Sequence, residues 1–316
     1  MPSSVAAAAE PALIVASYGR HFLVRPEAGG AGERGERTAV TRGKRTDPGI
    51  GDRVLIRCVG SDQAVIESVL PRVSEVRRSD RWRSKLLAAN VDQVGVVLAG
   101  DPPFSEELLL RMLCGCASAG VPAALLANKS DLLEARAAIE PRLAVYRTLG
   151  LPVLDIAAGG EAQRTREALR GWLAGRTTLL IGQSGMGKST LVNALVPDAD
   201  LRTQAISSAL ASGKHTTTFS RLFELPPSVA PDARIIDTPG FQSFGITHLS
   251  TSQLVHSIPE FGPLLGRCRF NDCMHRDEPG CAIREAVDDG AIDARRFELY
   301  GRLVSETVND PSRPRP

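Results

Sequence analysis

Three hydrophobic rhythms divide the chain. Residues 94–99 form a continuous apolar run, as expected of a strand covered on both faces. Similar short runs return at 123–127, 153–157, 177–181 and 233–236. Between them lie stretches with apolar residues at helical spacing, one ending at Ala119 and another at Ala174. Ser105 followed by Glu106 and Glu107 marks the first helix start, because a serine hydroxyl accepts from a free backbone N–H and carboxylates suit the positive end of the helix. Alternation of this kind predicts a doubly wound α/β domain, which binds its ligand at the carboxyl ends of its strands.

The front of the chain has a different period. Five β-prone runs, at 12–17, 21–25, 37–41, 53–59 and 64–69, are separated by the turn formers Gly29-Gly30, Asp47-Pro48-Gly49 and Gly60-Ser61-Asp62. Five short strands in this space predict a small closed barrel such as an OB-fold. At the back, apolar residues recur at helical spacing from Ile283 to Val308. The expected division is a barrel over 1–72, a basic linker over 73–85, the α/β domain over 86–247 and a small helical domain over 248–316.

Charge sharpens the reading of the front end. The formal net charge is only +2, yet the stretch from Arg20 to Lys85 holds fifteen Lys and Arg against nine Asp and Glu. A basic front end on a near-neutral chain suits a polyanion. Only Tyr18 and Phe22 are available for base stacking in the barrel, so phosphate-directed contacts from Arg42, Lys44 and Arg45 are expected. The connector adds Arg77, Arg78, Arg81, Arg83 and Lys85 around Trp82. No stretch reads as a membrane span or export signal, which makes the cytosol the expected compartment. The six cysteines are then expected to be reduced, and any cluster of them points to metal.

The candidate chemistry lies at strand ends. After the run 177–181 comes Gly182-Gln183-Ser184-Gly185-Met186-Gly187-Lys188-Ser189, then Thr190 in a helix-compatible segment. The spacing Gly-x4-Gly-Lys-Ser between strand and helix is that of a phosphate-cradling loop. Its backbone N–H groups and the following helix end meet the anion, Lys188 reaches the β- and γ-phosphates, and Ser189 binds Mg²⁺. Asn128-Lys129-Ser130-Asp131 follows the run at 123–127. An aspartate accepts both N1–H and N2–H₂ of guanine, and adenine offers no matching pair of donors, so the nucleotide is read as GTP. Lys129 lies along the base, and Asn128 ties this loop to the phosphate loop. Asp237-Thr238-Pro239-Gly240 supplies a third element, with Asp237 toward Mg²⁺ and the Gly240 N–H toward the γ-phosphate. One threonine of Gly213-Lys214-His215-Thr216-Thr217-Thr218 completes the Mg²⁺ shell; Thr217 is preferred over Thr216 and Thr218. At the back, Cys268-x4-Cys273-x-His275-x5-Cys281 offers three thiolates and one imidazole, a closed tetrahedral set for one structural Zn²⁺.

The order of these elements is permuted: base reader, phosphate loop, threonine switch, aspartate switch. That order, the quoted motifs and the Cys-Cys-His-Cys knot resemble the ribosome small subunit-dependent GTPase A (RsgA) family, over residues 12–308 and including Arg42-Gly43-Lys44. The resemblance implies an OB-fold barrel, a circularly permuted GTPase and a zinc domain. It also implies a late-stage assembly factor of the small ribosomal subunit that contacts its rRNA, is stimulated by the subunit and leaves after hydrolysis; a monomer is expected. Two positions depart from the pattern: Ala157-Ala158 stands where a Ser-Ala pair often contacts guanine, leaving the Ala158 backbone for that contact, and Met186 replaces a commoner valine. Phe241 follows Gly240 where Ras-like enzymes place a water-orienting glutamine, so slow intrinsic turnover is expected. The resemblance assigns His248 to positioning or deprotonating the attacking water, beside Lys188 and Thr217. The other reading is an RNA-binding scaffold in which GTP only stabilises the fold.

Overall fold

The computed structural model describes residues 9–19, 21–27, 35–42, 47–60, 62–79, 84–197, 199 and 219–308. Lys44, Arg45, Arg81, Trp82, Arg83 and the threonines Thr216, Thr217 and Thr218 lie outside them.

The front of the chain closes into a five-stranded barrel. Its strands are β1 (Glu10–Tyr18), β2 (His21–Pro26), β3 (Arg37–Thr41), β4 (Arg53–Cys58) and β5 (Gln63–Val69). They run in the order β1-β2-β3-β5-β4, with β4 returning to pair with β1. β3 and β5 are parallel and the other neighbours antiparallel, which is the OB arrangement. Alternate residues point inward, as a period of two requires: Ile14, Phe22, Val24, Ala39, Val54, Ile56 and Ile66 fill the interior. Val15 is buried on the opposite face of β1, against the main core of the protein. That explains why the middle of β1 loses its alternation.

The stretch read as a basic linker is an antiparallel hairpin, β6 (Glu75–Ser79) and β7 (Ser84–Ala89). Val76 is fully buried while Glu75 and Arg77 pair with each other at the surface. A strand that buries so little apolar surface hides in a run of arginines. The buried carboxylate of Asp52, bound by Arg72 at 2.7 and 2.8 Å, fixes the chain where it leaves the barrel.

The α/β region supplies β8 (Gln93–Ala99), α1 (Glu106–Ser118), β9 (Ala123–Asn128), α2 (Leu133–Thr148), β10 (Val153–Asp155), α3 (Ala162–Leu173), β11 (Thr177–Gly182), α4 (Lys188–Leu195), β12 (Ser220–Glu224) and β13 (Arg234–Asp237). Its strand order is β10-β9-β8-β11-β13-β12. Every residue of β8 is buried, in keeping with its place inside a parallel sheet. Ser105 caps α1 by accepting from Leu108 N–H at 3.2 Å. β10 stops at Asp155, and residues 156–158 leave the strand to line the site. β12 is antiparallel to β13 and also pairs with β1, so barrel and α/β sheet form one continuous surface of eleven strands. Arg25 bridges this joint, reaching Glu36 at 2.9 Å and Glu224 at 2.8 Å.

The back end carries α5 (Thr251–His256), a 3₁₀ turn (Pro259–Leu264), α6 (Ala282–Asp288) and α7 (Ala294–Val308). Ser250 and Gln253 form a reciprocal capping box on α5. α7 lies on α1 through Arg111–Glu306 and Arg295–Glu106. No described helix is long and apolar enough to cross a membrane.

Candidate nucleotide site and metal cluster

The phosphate loop joins the end of β11 to the start of α4. Gly185 and Gly187 adopt φ of 86° and 85°, a conformation costly for any residue with a Cβ. At Gly187 a Cβ would also stand 2.4 Å from the Asn128 amide nitrogen. Met186 points inward and is fully buried, anchoring the loop, while Ser184, Gly185, Ser189 and Thr190 are exposed at its mouth.

Asn128, only 2 % exposed, makes the connection that decides the site. Its Nδ2 donates to Met186 O at 3.0 Å, and its Oδ1 accepts from Ala158 N–H at 3.1 Å. One side chain thus ties together the ends of β9, β10 and β11. Asp131 faces the loop after β10: a Cβ on Gly160 would lie 3.2 Å from its Oδ2. Thr165 holds that loop by accepting from Ala157 N–H at 3.1 Å. Lys129, with φ of 59°, spans past Gly187 and donates to Asp101 O at 2.6 Å. Gly159 and Gly160 were not singled out from the sequence, although two adjacent glycines after a strand run are a signal of close approach.

On the other flank Lys188 Nζ pairs with Asp237 Oδ1 at 2.6 Å, both side chains largely buried. Thr238 donates from Oγ1 to Leu180 O at 2.8 Å. Phe241 N–H donates to Gly182 O at 3.0 Å, and Ser184 N–H donates to Phe241 O at 3.1 Å. This backbone pairing draws Gly240 against the phosphate loop, where a Cβ would meet Ser184 Cα at 3.1 Å. The Phe241 ring is buried edge-on against Phe244, with the Arg78 guanidinium 5.4 Å above it. His248 lies farther along, its Nδ1 2.6 Å from Ser79 Oγ.

In the back domain Cys268, Cys273, His275 and Cys281 place one ligand atom each within 4.8 Å of all the others. His275 Nδ1 stands 3.5 Å from Cys268 Sγ and 3.4 Å from Cys281 Sγ. Zinc–sulfur and zinc–nitrogen bonds at a tetrahedral angle imply about 3.6 Å for such a pair, so the donor set fits that metal. Burial pushes the Cys273 thiol up to about 12 and lowers His275. A bound divalent cation reverses the first effect, because a coordinating thiol is deprotonated. Glu278 ties the turn together by accepting from the N–H groups of Met274, Arg276 and Asp277, and the Tyr300 hydroxyl donates to Met274 O at 2.8 Å.

The sequence model of the RsgA GTPase family matches residues 69–247. A protein of Paraburkholderia phytofirmans named small ribosomal subunit biogenesis GTPase RsgA is 48 % identical over 295 residues, 93 % of this chain and 92 % of that one. Its namesake from Ralstonia pickettii is 44 % identical over 302 residues, 96 % and 94 % of the two chains. The chain belongs to the RsgA GTPase family. Among solved structures, YjeQ from Thermotoga maritima superposes with a TM-score of 0.68 at 26 % identity, covering 96 % of this chain and 99 % of that one. YloQ, described as a circularly permuted GTPase, gives the same TM-score at 22 % identity over 99 % and 100 %, a likeness of fold.

As a member of the RsgA family the chain is a GTP hydrolase with a circularly permuted fold. The permuted order is visible in the sheet, where β8 precedes the phosphate-loop strand β11 in sequence and pairs with it, with β9 on the far side of β8. At Ala157-Ala158, the position expected to meet guanine through the Ala158 backbone, the Ala158 N–H is engaged by Asn128.

Proposed function

We propose that this chain hydrolyses GTP as a late-stage assembly factor of the small ribosomal subunit, stimulated by the subunit and leaving it after hydrolysis. The observation that carries this reading is the Asn128 side chain, which joins the base-reading loop to the phosphate loop in one pocket. Asp131 accepts from guanine N1–H and N2–H₂, Lys129 flanks the base, and the Ala158 backbone closes over it. Phosphates meet the backbone from Gly182 to Thr190, and Lys188 passes from Asp237 to a phosphate oxygen as GTP enters. The Ser189 hydroxyl and the Asp237 carboxylate are hard oxygen donors of the kind Mg²⁺ takes, and Thr217 would complete that set. Bound there, Mg²⁺ neutralises charge on the β- and γ-phosphate oxygens. Gly240 N–H faces the γ-phosphate, and His248 acts on the attacking water in place of the glutamine that Phe241 displaces.

Cys268, Cys273, His275 and Cys281 would hold one Zn²⁺, which would fix the turn beneath α7; with four protein donors the role would be structural. The relatives are named as small ribosomal subunit biogenesis GTPases, which supports that subunit as the partner. The basic barrel and the arginines of the hairpin suit rRNA phosphates, with the chain acting as a cytoplasmic monomer. The test is GTP turnover measured alone and with purified small subunits. Slow basal hydrolysis that rises with subunits is expected; equal rates contradict the reading.

A further inference from the structure

The segment from Gly100 to Ser105, which joins β8 to α1, touches both loops of the nucleotide site. Its start is pinned against α2, where a Cβ on Gly100 would stand 2.0 Å from Ala135 O. Asp101 O then accepts from Lys129 Nζ at 2.6 Å. Pro102 covers the phosphate loop, with its Cγ 3.4 Å from the place a Cβ on Gly185 would take. Phe104 is buried, and the Arg142 guanidinium stands 4.5 Å from its ring centroid. At the end of the segment Ser105 N–H donates to Gln183 Oε1 at 2.9 Å. That N–H is one of the first four of a helix, which have no acceptor inside it. Gln183 is therefore used twice, its backbone beside Phe241 and its side chain on the start of α1. An apolar hollow lined by Val97, Phe104, Leu108, Met112 and Gln183 adjoins this bond, so packing alone does not close α1 onto the phosphate loop.

We propose that Gln183 is a positioning residue for the nucleotide: its side chain holds the segment from Gly100 to Ser105 where the Asp101 carbonyl keeps Lys129 extended along the base, and this delays nucleotide release. The proposal rests on the reading above that Lys129 flanks the base. A lysine stem has several rotatable bonds, and ordering it on binding costs conformational entropy. Bonding to the Asp101 carbonyl orders the stem in the free protein, because a hydrogen bond from an ammonium group is among the stronger ones. A stem ordered beforehand meets the base with no further ordering loss. The acceptor is a main-chain oxygen, so its place is set by what holds the segment at its two ends. Those are the close approach of Gly100 to Ala135 and the bond from Ser105 to Gln183. Asn128 ties the base-reading loop to the far end of the phosphate loop through Met186 O. Gln183 and Asn128 thus act at opposite ends of one loop and reach the base by different routes.

The experiment follows release of a fluorescent GDP from the full-length protein by stopped flow. It compares the wild type with Gln183→Met, which keeps the side-chain length and removes the acceptor, and with Gly100→Ala, which displaces the other end of the segment. Gln183→Met is expected to release GDP roughly three- to thirtyfold faster, the order set by ordering one long side chain. Gly100→Ala should change release in the same direction. Lys129→Ala should also speed release, and the Gln183→Met/Lys129→Ala double variant should be no faster than Lys129→Ala. Inorganic pyrophosphate, which has no base, is then used to compete with the fluorescent GDP. Its affinity should be the same for Gln183→Met as for the wild type, whereas a general loosening of the phosphate loop would weaken it. A wild-type release rate in Gln183→Met, effects that multiply in the double variant, or pyrophosphate weakened as much as GDP would overturn the proposal. Release from Lys129→Ala at the wild-type rate would instead refute the placement of Lys129 on the base, and the proposal with it.

Discussion

The phosphate loop is flanked by two regions held in opposite ways. On the guanine flank, Asn128 bonds Met186 O and Ala158 N–H through its own buried amide, and Thr165 fixes Ala157. All these groups belong to the α/β region itself. On the aspartate flank, Phe241 leans on the Arg78 guanidinium and His248 on the Ser79 hydroxyl, both supplied by a hairpin outside the strand–helix alternation. The first arrangement pre-organises a binding pocket, where the buried Asn128 amide and the Ala157 and Ala158 N–H groups are paired before a base arrives. In the second, the segment after Gly240 packs against side chains of the hairpin. One flank is thus held from within the α/β region and the other from outside it.

Metal removal tests a third region against both flanks and is expected to have the largest effect. Structural zinc in isolated peptides contributes on the order of 10 kcal/mol. Chelation should release the hydrogen-exchange protection of α6 and α7 while GDP affinity stays within about twofold. A parallel loss of GDP binding would show that the two sites are not independent. Asn128→Ala comes next. It leaves Ala158 N–H and Met186 O unpaired and buried, at about 1–3 kcal/mol each; with about half of that total falling on the bound state, about 1–3 kcal/mol, calorimetry should find GDP affinity lowered by roughly fivefold to a hundred-and-fiftyfold. An unaltered affinity would remove the distinction drawn between the flanks. Arg78→Ala is the mildest change. Loss of its contact with Phe241 should lower stability by about 0.5–2 kcal/mol with GDP affinity unchanged, readable from a denaturation curve beside a binding isotherm.

Much of the fold was legible because burial on one face or on two leaves different marks in sequence. The unbroken run of β8 and the alternation of β2, β4 and β5 could be read residue by residue, and Cys268, Cys273, His275 and Cys281 declared themselves by type and spacing. The hairpin was not legible: β6 has Val76 as its one fully buried apolar residue amid charges, so its strand period is drowned. β12 follows a long polar stretch and is defined by pairing with both β13 and β1, which no local pattern encodes. Site residues found from motifs carried backbone-shape constraints, as at Gly187. Ser79 has none, since its partner lies 169 positions away and only the tertiary fold brings them together.

The central claim is that Asp131 and Lys188 serve one nucleotide. Its most direct test compares GDP and xanthosine diphosphate binding to Asp131→Asn with and without Lys188→Ala. Asp131→Asn should reverse the preference from guanine to xanthine, with a swing of roughly 10⁴-fold because a matched polar site penalises the wrong base that heavily. Adding Lys188→Ala should then weaken the newly preferred nucleotide. A preference for GDP that survives in Asp131→Asn, or xanthosine diphosphate binding indifferent to Lys188, would contradict a shared pocket.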